Sequence, residues 1–180
     1  MRHESILKKL REPFMPFFEQ IQHKIQSWEQ VSRTAASWHA TGDRIVFTNG
    51  CFDILHYGHI HYLSAARDLG DRLIVGMNSG ASVSRLKGPT RPINDEHTRT
   101  HLMASLLFVD AVVIFDQDTP LELIQLIQPD ILVKGGDWKP EQIVGSDFVL
   151  ARGGQVLSLP FVDGYSTTSI EGRIKNGSGL

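Results

Sequence analysis

The chain has 180 residues, a hydrophobic fraction of 41%, a charged fraction of 21%, one cysteine and a formal net charge of -2. This length suits one packed domain, the lone Cys51 excludes an intrachain disulfide, and the absence of a basic tract disfavours nucleic-acid binding. With no apolar run near the roughly 20 residues of a membrane span and no secretory signal, we expect a cytoplasmic protein without membrane partners.

Residues 1–43 place apolar side chains at roughly helical spacing, interrupted by Pro13 and Pro16. Ser27 and Gln30 have the spacing of a capping box, which predicts the start of a helix. We therefore predict an N-terminal helical extension over residues 1–43, followed by a separate domain over residues 44–180.

Short apolar runs alternate with helical patterns from residue 44 onward. The predicted strands are residues 44–48, 72–78, 111–115, 131–134 and 155–160. Their Val, Ile and Leu content and weak alternation are typical of strands buried on both faces of a parallel sheet. Helix starts are indicated by Asn94 before an acidic turn and by Thr119 before Pro120. The pattern predicts a Rossmann-like α/β fold, a doubly wound parallel sheet of five strands.

The segment TNGCFDILHYGH (residues 48–59) follows the first predicted strand. Ligands of such sheets bind beyond the carboxyl ends of the strands, against helix N-termini. His56 and His59 bracket Gly58, whose missing side chain would let an anion approach the backbone N–H groups. Donors that converge on one point favour phosphoryl transfer. The alternatives are a metal site, disfavoured because no third ligand follows at a familiar spacing, and ordinary helix-start residues.

Three further segments fall at strand or helix ends. STTSI (166–170) offers four hydroxyl residues at a helix start, either as a simple cap or as a phosphate cradle. The loop SRLKGPTRPIN (84–94) carries Lys87 and Arg91, which are either solvated charges or contacts of a mobile lid with a triphosphate. KGGDW (134–138) forms either a turn or a close approach to a base or ribose.

These segments resemble known signatures. TNGCFDILHYGH resembles the H-x-G-H motif of the nucleotidylyltransferase superfamily, in its cytidylyltransferase-like branch, and STTSI resembles the second motif of that superfamily. GDRLIVGMNS, RLKGPTRPIN, DTPLELI, PDILVKGGDW, GSDFVLARGGQV and DGYSTTSI are similar to the D-glycero-β-D-manno-heptose 1-phosphate adenylyltransferase family. The similarity covers about residues 25–174, and no kinase half, which many members carry, is present.

The resemblance implies transfer of AMP from ATP to heptose 1-phosphate, giving ADP-heptose and pyrophosphate for lipopolysaccharide or other glycan synthesis, with Mg²⁺ on the phosphates. It implies catalytic roles for His56, His59 and Lys87 and no metal ligand from the protein. The implied nucleotide-binding residues are Thr48, Asn49, Gly50, Cys51, Phe52, Asp53, Gly58, Asn78, Arg91, Gly135, Asp137, Ser166, Thr167, Thr168 and Ser169.

Two departures from the family stand out: Gly80 replaces a common aspartate, and the segment before Ile25 has no recognised counterpart. Two rival functions share these signatures. One is a cytidylyltransferase acting on glycerol phosphate or a similar small phosphate, and the other is a non-catalytic nucleotide sensor. Superfamily members are often dimers or larger, so we expect a homo-oligomer.

Overall fold

The computed structural model describes residues 15–177, which form an α/β domain around one parallel sheet. The strands are β1 (Ile25–Gln26), β2 (Ile45–Gly50), β3 (Arg72–Asn78), β4 (Ala111–Phe115), β5 (Ile131–Gly135) and β6 (Gln155–Leu159). The helices are α1 (Phe17–Lys24), α2 (Trp28–Ala40), α3 (Tyr57–Arg67), α4 (Gly80–Lys87), α5 (Glu96–Ala104), α6 (Leu121–Ile127), α7 (Ser146–Ala151) and α8 (Thr167–Asn176), with a 3-10 turn at Pro140–Gln142. No helix within residues 15–177 is long and apolar enough to cross a membrane.

Helices cover both faces of the sheet, which confirms the predicted doubly wound fold. Successive strand residues point to opposite faces. In β2, Phe47 packs with α2, α6 and α7 on one face, which we call the α6 face. Its neighbour Val46 packs with α3 and α5 on the other, the α3 face. Two apolar cores therefore sandwich the sheet, and this double burial explains the continuous apolar runs in the sequence.

The strand order is β1-β4-β3-β2-β5-β6, with every neighbouring pair parallel. From β2 the chain builds outward first through β3 and β4, then returns to add β5 on the other side of β2. The order therefore reverses between β2 and β5, where Thr48 lies opposite Val133. A crevice at the carboxyl ends of these two strands is the usual ligand site of an open α/β sheet.

The sheet has six strands where five were predicted. The additional strand, β1, comes from the predicted helical extension and pairs Ile25 with Val112 at the edge of β4. The predicted capping box is confirmed: Ser27 Oγ accepts from Gln30 N, and Gln30 accepts from Ser27 N. The helix that follows buries Val31 in the core. Residues 1–14 of the predicted extension lie outside the described residues.

Two predicted helix caps are wrong by one residue. Asp95, not Asn94, caps α5 by accepting from Thr98 N at 2.6 Å. Pro120, not Thr119, precedes α6, without a side-chain cap bond. Asn94 is instead hydrogen-bonded to Asp53, so a tertiary contact overrides the local capping preference.

Candidate active site

The two predicted motifs meet at the carboxyl edge of the sheet. His56 is the N-cap of α3, with extended backbone (φ -146°, ψ 171°), and α3 begins at Tyr57. Tyr165, just before α8, packs against Tyr57 with ring centroids 5.0 Å apart. The N-termini of α3 and α8 therefore lie side by side, and their partial positive charges favour an anion between them.

The two histidine rings form a stack. The ring centroids of His56 and His59 are 3.8 Å apart with planes inclined by 23°, and Phe52 meets His59 edge-on at 5.2 Å. Phe52 has a positive φ of 43°. A Cβ on Gly50 would lie 3.0 Å from the Phe52 ring. Gly50 thus makes room for Phe52, which in turn fixes the orientation of His59.

Both imidazoles are held in the neutral form. Burial lowers the pKa of His59 to about 4. The repulsion that a protonated His59 would meet from a protonated His56 and from Lys87 acts in the same direction, and a hydrogen bond with the Ile54 backbone opposes it. Burial also lowers the pKa of His56. A neutral imidazole still carries one N–H donor. The stack therefore presents hydrogen-bond donors, rather than full charges, at neutral pH.

Gly58 lies in a tightly packed position. A Cβ at this position would lie 3.1 Å from His56 Nδ1 and 3.2 Å from Tyr165 Cβ. The glycine therefore lets the His56 ring and the segment before α8 approach α3 closely. The predicted approach of an anion to the backbone at Gly58 stays a prediction.

Asp53 is part of a bridge that joins three segments. Its side chain is 1% exposed and pairs with Arg91 Nη1 at 2.5 Å, and Arg91 also pairs with Glu171 of α8. The other carboxylate oxygen accepts from Ile93 N at 2.8 Å and Asn94 N at 3.0 Å. Burial alone would raise the pKa of Asp53, but the Asn94 and Ile93 N–H groups and the Arg91 guanidinium outweigh it and lower the pKa.

This bridge changes the interpretation of the predicted lid. Residues 84–87 belong to α4 rather than to a loop, and Arg91 is held by two carboxylates rather than free for a phosphate. Lys87, the last residue of α4, is exposed, and its ammonium has no ion pair among residues 15–177. It is nevertheless near enough to lower the pKa of His59. Of the two predicted cations, Lys87 is the one available to an anionic ligand.

The hydroxyl segment divides into one cap and three available groups. Ser166 Oγ accepts from Ser169 N at 3.0 Å and so caps α8. The hydroxyls of Thr167, Thr168 and Ser169 make no hydrogen bond within the described part of the chain. These groups and the first N–H groups of α8 face the same helix end, so capping accounts for only the first of the four residues.

A cavity of about 730 Å³ opens beyond the ends of β5 and β6. It is lined by Gly136, Asp137, Trp138, Gln142, Pro160, Phe161 and Asp163. A Cβ on Gly135 would lie 2.6 Å from the Phe161 ring, so glycine is needed for this ring to pack over β5. The volume and the aromatic walls suit a planar ligand group. Of the lining residues, the sequence prediction named Asp137 but not Phe161, whose only signal was an aromatic residue in the loop after the last strand.

Three of the predicted nucleotide-binding residues, Thr48, Cys51 and Asn78, make hydrogen bonds within the protein near the carboxyl ends of β2 and β3. Thr48 is buried and hydrogen-bonded to the Tyr62 hydroxyl at 2.6 Å. Asn78 donates to Ser82 Oγ at 3.0 Å, and the Cys51 thiol donates to Asn78 Oδ1 at 3.8 Å. Burial raises the pKa of Cys51. These contacts hold the ends of β2 and β3 together, and any nucleotide contact by these residues stays a prediction.

Two cations at this edge were missed by sequence reasoning. Arg99 of α5 is 1% exposed and donates to the Cys51 and Asn78 carbonyls at 2.8 and 2.9 Å. Lys134, at the end of β5, donates to Asn49 Oδ1 at 3.4 Å. For Lys134, a charged residue directly after the apolar run ILV was the available signal, whereas Arg99 lies in a polar stretch that gave none. Within residues 15–177, no three His, Cys, Asp or Glu side chains are grouped to hold a metal ion.

Comparison with known proteins identifies relatives along most of the chain. The family described as cytidylyltransferase-like matches residues 47–173. The bifunctional protein HldE of Trichlorobacter lovleyi is 58% identical over 147 residues, covering 82% of this chain and 30% of that protein. HldE of Magnetococcus marinus is 54% identical over 151 residues, covering 84% and 31%. The chain thus spans less than a third of the length of these curated relatives.

Solved structures give the same fold. A lipopolysaccharide core biosynthesis protein from Thermoplasma volcanium is 30% identical with a TM-score of 0.54, covering 69% of this chain and all of that one. Pantoate-β-alanine ligase from Francisella tularensis, at 17% identity and a TM-score of 0.54, covers 82% of this chain and 75% of its own. The second likeness concerns the fold alone.

Proposed function

The chain belongs to the cytidylyltransferase-like family of nucleotidyltransferases, and from that premise we propose that it transfers AMP from ATP to D-glycero-β-D-manno-heptose 1-phosphate. The products are ADP-heptose and pyrophosphate. Support for this substrate comes from the identity above 50% to HldE proteins and from the heptose-family segments of the sequence. A cytoplasmic location, a role in lipopolysaccharide synthesis and assembly as a homo-oligomer are part of the same proposal.

The observation that carries the proposal is the neutral histidine stack at the start of α3, beside the hydroxyl-rich start of α8. In the proposed reaction, an oxygen of the sugar phosphate attacks the α-phosphorus of ATP in line. The bond from that phosphorus to the bridging oxygen breaks, and the electron pair leaves with pyrophosphate. His56 and His59 donate to the oxygens on which charge develops, and Thr167 to Ser169 bind the β- and γ-phosphates.

In this proposal, the base and the ribose of ATP bind near the carboxyl end of β5. The cavity beside Gly135 and Asp137, walled by Trp138 and Phe161, is large enough for the base and ribose. Lys87, which is near enough to lower the pKa of His59, would add positive charge towards the triphosphate. Mg²⁺ suits a site of this kind held mainly by the phosphates and water, where it would neutralise phosphate charge.

The proposal is tested by pyrophosphate release with ATP, CTP, GTP and UTP, each combined with heptose 1-phosphate, glycerol 3-phosphate and ethanolamine phosphate. We expect the highest kcat/KM with ATP and heptose 1-phosphate. Comparable or better turnover with CTP and a polyol phosphate would instead identify a cytidylyltransferase. Binding of ATP without pyrophosphate release from any pair would identify a nucleotide sensor.

A further inference from the structure

Lys134 is a cation at the centre of the crevice that the reaction described above does not use. It lies at the carboxyl end of β5, next to β2 across the point where the strand order reverses. Its ammonium is 3.4 Å from Asn49 Oδ1, and no carboxylate lies within ion-pair distance of it in residues 15–177. A neutral amide oxygen is therefore the partner of a positive charge.

Such an arrangement is unfavourable without a further partner. Burial lowers the pKa of Lys134, with the Cys51 thiol acting weakly in the opposite direction. Removing an ammonium from water is costly unless an anion or several acceptors replace the lost hydration. Because an apolar residue would serve the sheet better at this position, the lysine points to an anionic ligand.

Asn49 adds a second donor beside the ammonium. Its carbonyl oxygen faces Lys134, so its amide NH₂ group points away, and that group has no acceptor among the described residues. The ammonium and the amide NH₂ group are both hydrogen-bond donors, and donors of this kind suit the oxygens of a phosphate. The pair thus forms a small donor set at the end of two adjacent strands.

The two faces of the sheet separate this donor set from the histidines. Thr48 bonds to Tyr62 of α3, so Thr48 points to the α3 face and Asn49, the next residue, to the α6 face. Val133 packs on the α3 face and Leu132 on the α6 face, which places Lys134 on the α6 face as well. His56 and His59 belong to α3.

An in-line displacement requires that the groups binding the attacking phosphate and those binding the leaving pyrophosphate lie on different sides of the reacting phosphorus. The attacking and leaving oxygens lie on opposite sides of the α-phosphorus. If pyrophosphate leaves towards the starts of α3 and α8, the attacking phosphate enters from the opposite side, where Lys134 and Asn49 lie. We propose that Lys134, with Asn49, binds the attacking phosphate of the sugar 1-phosphate and is a further catalytic residue.

This role rests on the proposed function and needs no proton transfer. A non-bridging oxygen of the phosphate monoester forms the new bond to the α-phosphorus, while the bond to the pyrophosphate oxygen breaks and carries the electron pair away. The ammonium offsets the repulsion between the incoming phosphate and the triphosphate, both of which are anions.

The test is Lys134→Met, compared with Lys139→Met as the matched control, because Lys139 is an exposed lysine in the segment after the same strand. We expect the KM for heptose 1-phosphate to rise at least about thirtyfold in Lys134→Met, since a charge-assisted hydrogen bond is lost. The Kd for ATP, measured by calorimetry, should stay within about threefold, and Tm should not fall. The control should match the wild type in all three.

A KM within threefold of the wild type overturns the proposal, and so does a Kd for ATP that rises as much as the KM. If Lys134→Met fails to fold, Lys134→Gln keeps a polar group of similar length and is judged by the same values. If the wild type prefers another phosphate acceptor, only the proposed substrate is refuted. The KM values of the wild type and of Lys134→Met for that acceptor then test the role of Lys134.

If the wild type releases pyrophosphate with no acceptor, the proposed function fails separately. Calorimetric titration with inorganic phosphate, in the presence of a non-hydrolysable ATP analogue, then decides the role of Lys134. Weaker phosphate binding by the variant supports the proposal, whereas equal binding overturns it.

Discussion

Asp53→Asn tests whether the bridge from Asp53 through Arg91 to Glu171 holds the active site together. The substitution keeps the shape of the side chain but removes its charge. Breaking a buried ion pair by removing one partner typically costs about 3–5 kcal/mol. Arg91 retains Glu171, and an amide oxygen still accepts from Ile93 and Asn94. We therefore expect the free energy of unfolding to fall by about 2–3 kcal/mol, below the full cost of an unpaired buried charge.

For a chain of this size, that loss corresponds to a Tm lower by about 5–10 °C. The effect has a defined pH dependence, because the pKa of Asp53 is lower in the folded state than in the unfolded state. Its contribution is fully present above the unfolded-state pKa of about 3.9 and is lost as the pH falls through the folded-state value. The Tm difference between wild type and variant should be constant from about pH 7 to pH 5 and shrink below about pH 4.

Calorimetry at several pH values and steady-state turnover provide the measurements, with Asp43→Asn as the control. Asp43 also pairs with an arginine, Arg72 at 2.7 Å, but at the opposite end of β2 and with side chains that are 24% and 39% exposed. We expect a loss of at most about 1 kcal/mol and normal turnover in the control. A Tm for Asp53→Asn within about 2 °C of the wild type at neutral pH would refute the reasoning, because it would mean that the buried ion pair contributes little to the free energy of unfolding.

Three further predictions concern the site and the N-terminus. His59→Asn should bind ATP within about tenfold of the wild type but lose at least about a hundredfold in kcat, since a donor that acts mainly in the transition state contributes little to ground-state binding. Single-turnover kinetics check this, and kcat within a few-fold would make His59 structural. Lys87→Ala should lower kcat/KM while changing the free energy of unfolding by at most about 0.5 kcal/mol, because the side chain is exposed; a lower Tm with normal turnover would contradict it. Deleting residues 1–23 should leave a folded domain, because no residue of α1 is buried; loss of cooperative unfolding in calorimetry would show the opposite.

His59 also makes the stability of the folded protein depend on pH. The folded-state pKa of His59, about 4, lies below its unfolded-state value of about 6.5. As the pH falls below the unfolded-state value, the unfolded chain takes up a proton that the folded chain does not, so stability decreases. His59 is therefore a neutral donor throughout the physiological range, and its role in turnover should not require protonation.

The strands were predictable because burial on both faces leaves a continuous apolar run in the sequence. All five predicted strands occur within a residue or two of their expected bounds. β1 could not be found in this way, since its two residues form no run and only pairing with Val112 and Val113 identifies it. Asn94 was misassigned as a cap because its amide has a stronger partner in Asp53, 41 residues away in the chain.

The site was predictable to the extent that its residues follow strands or open helices. The H-x-G-H segment and the hydroxyl segment do meet, because Tyr165, just before α8, packs against Tyr57 and Gly58 of α3. The pairing of Arg91 was not predictable, because its two carboxylates come from distant parts of the chain. Lys134 was missed because its significance depends on which face of the sheet it occupies, and that is fixed only by the register between β2 and β5.

The two-residue strand β1 also covers the edge of β4 that could otherwise pair with another chain. It occupies the outer edge of β4, whose sequence AVVIF has no charge and favours β-structure. A free edge of that kind is a template for pairing with other chains, whereas a two-residue strand is too short to propagate a sheet. A truncation that removes residues up to and including Gln26 would therefore leave much of the core in place but expose the unpaired edge of β4. We expect such a protein to aggregate under conditions in which its domain is still folded.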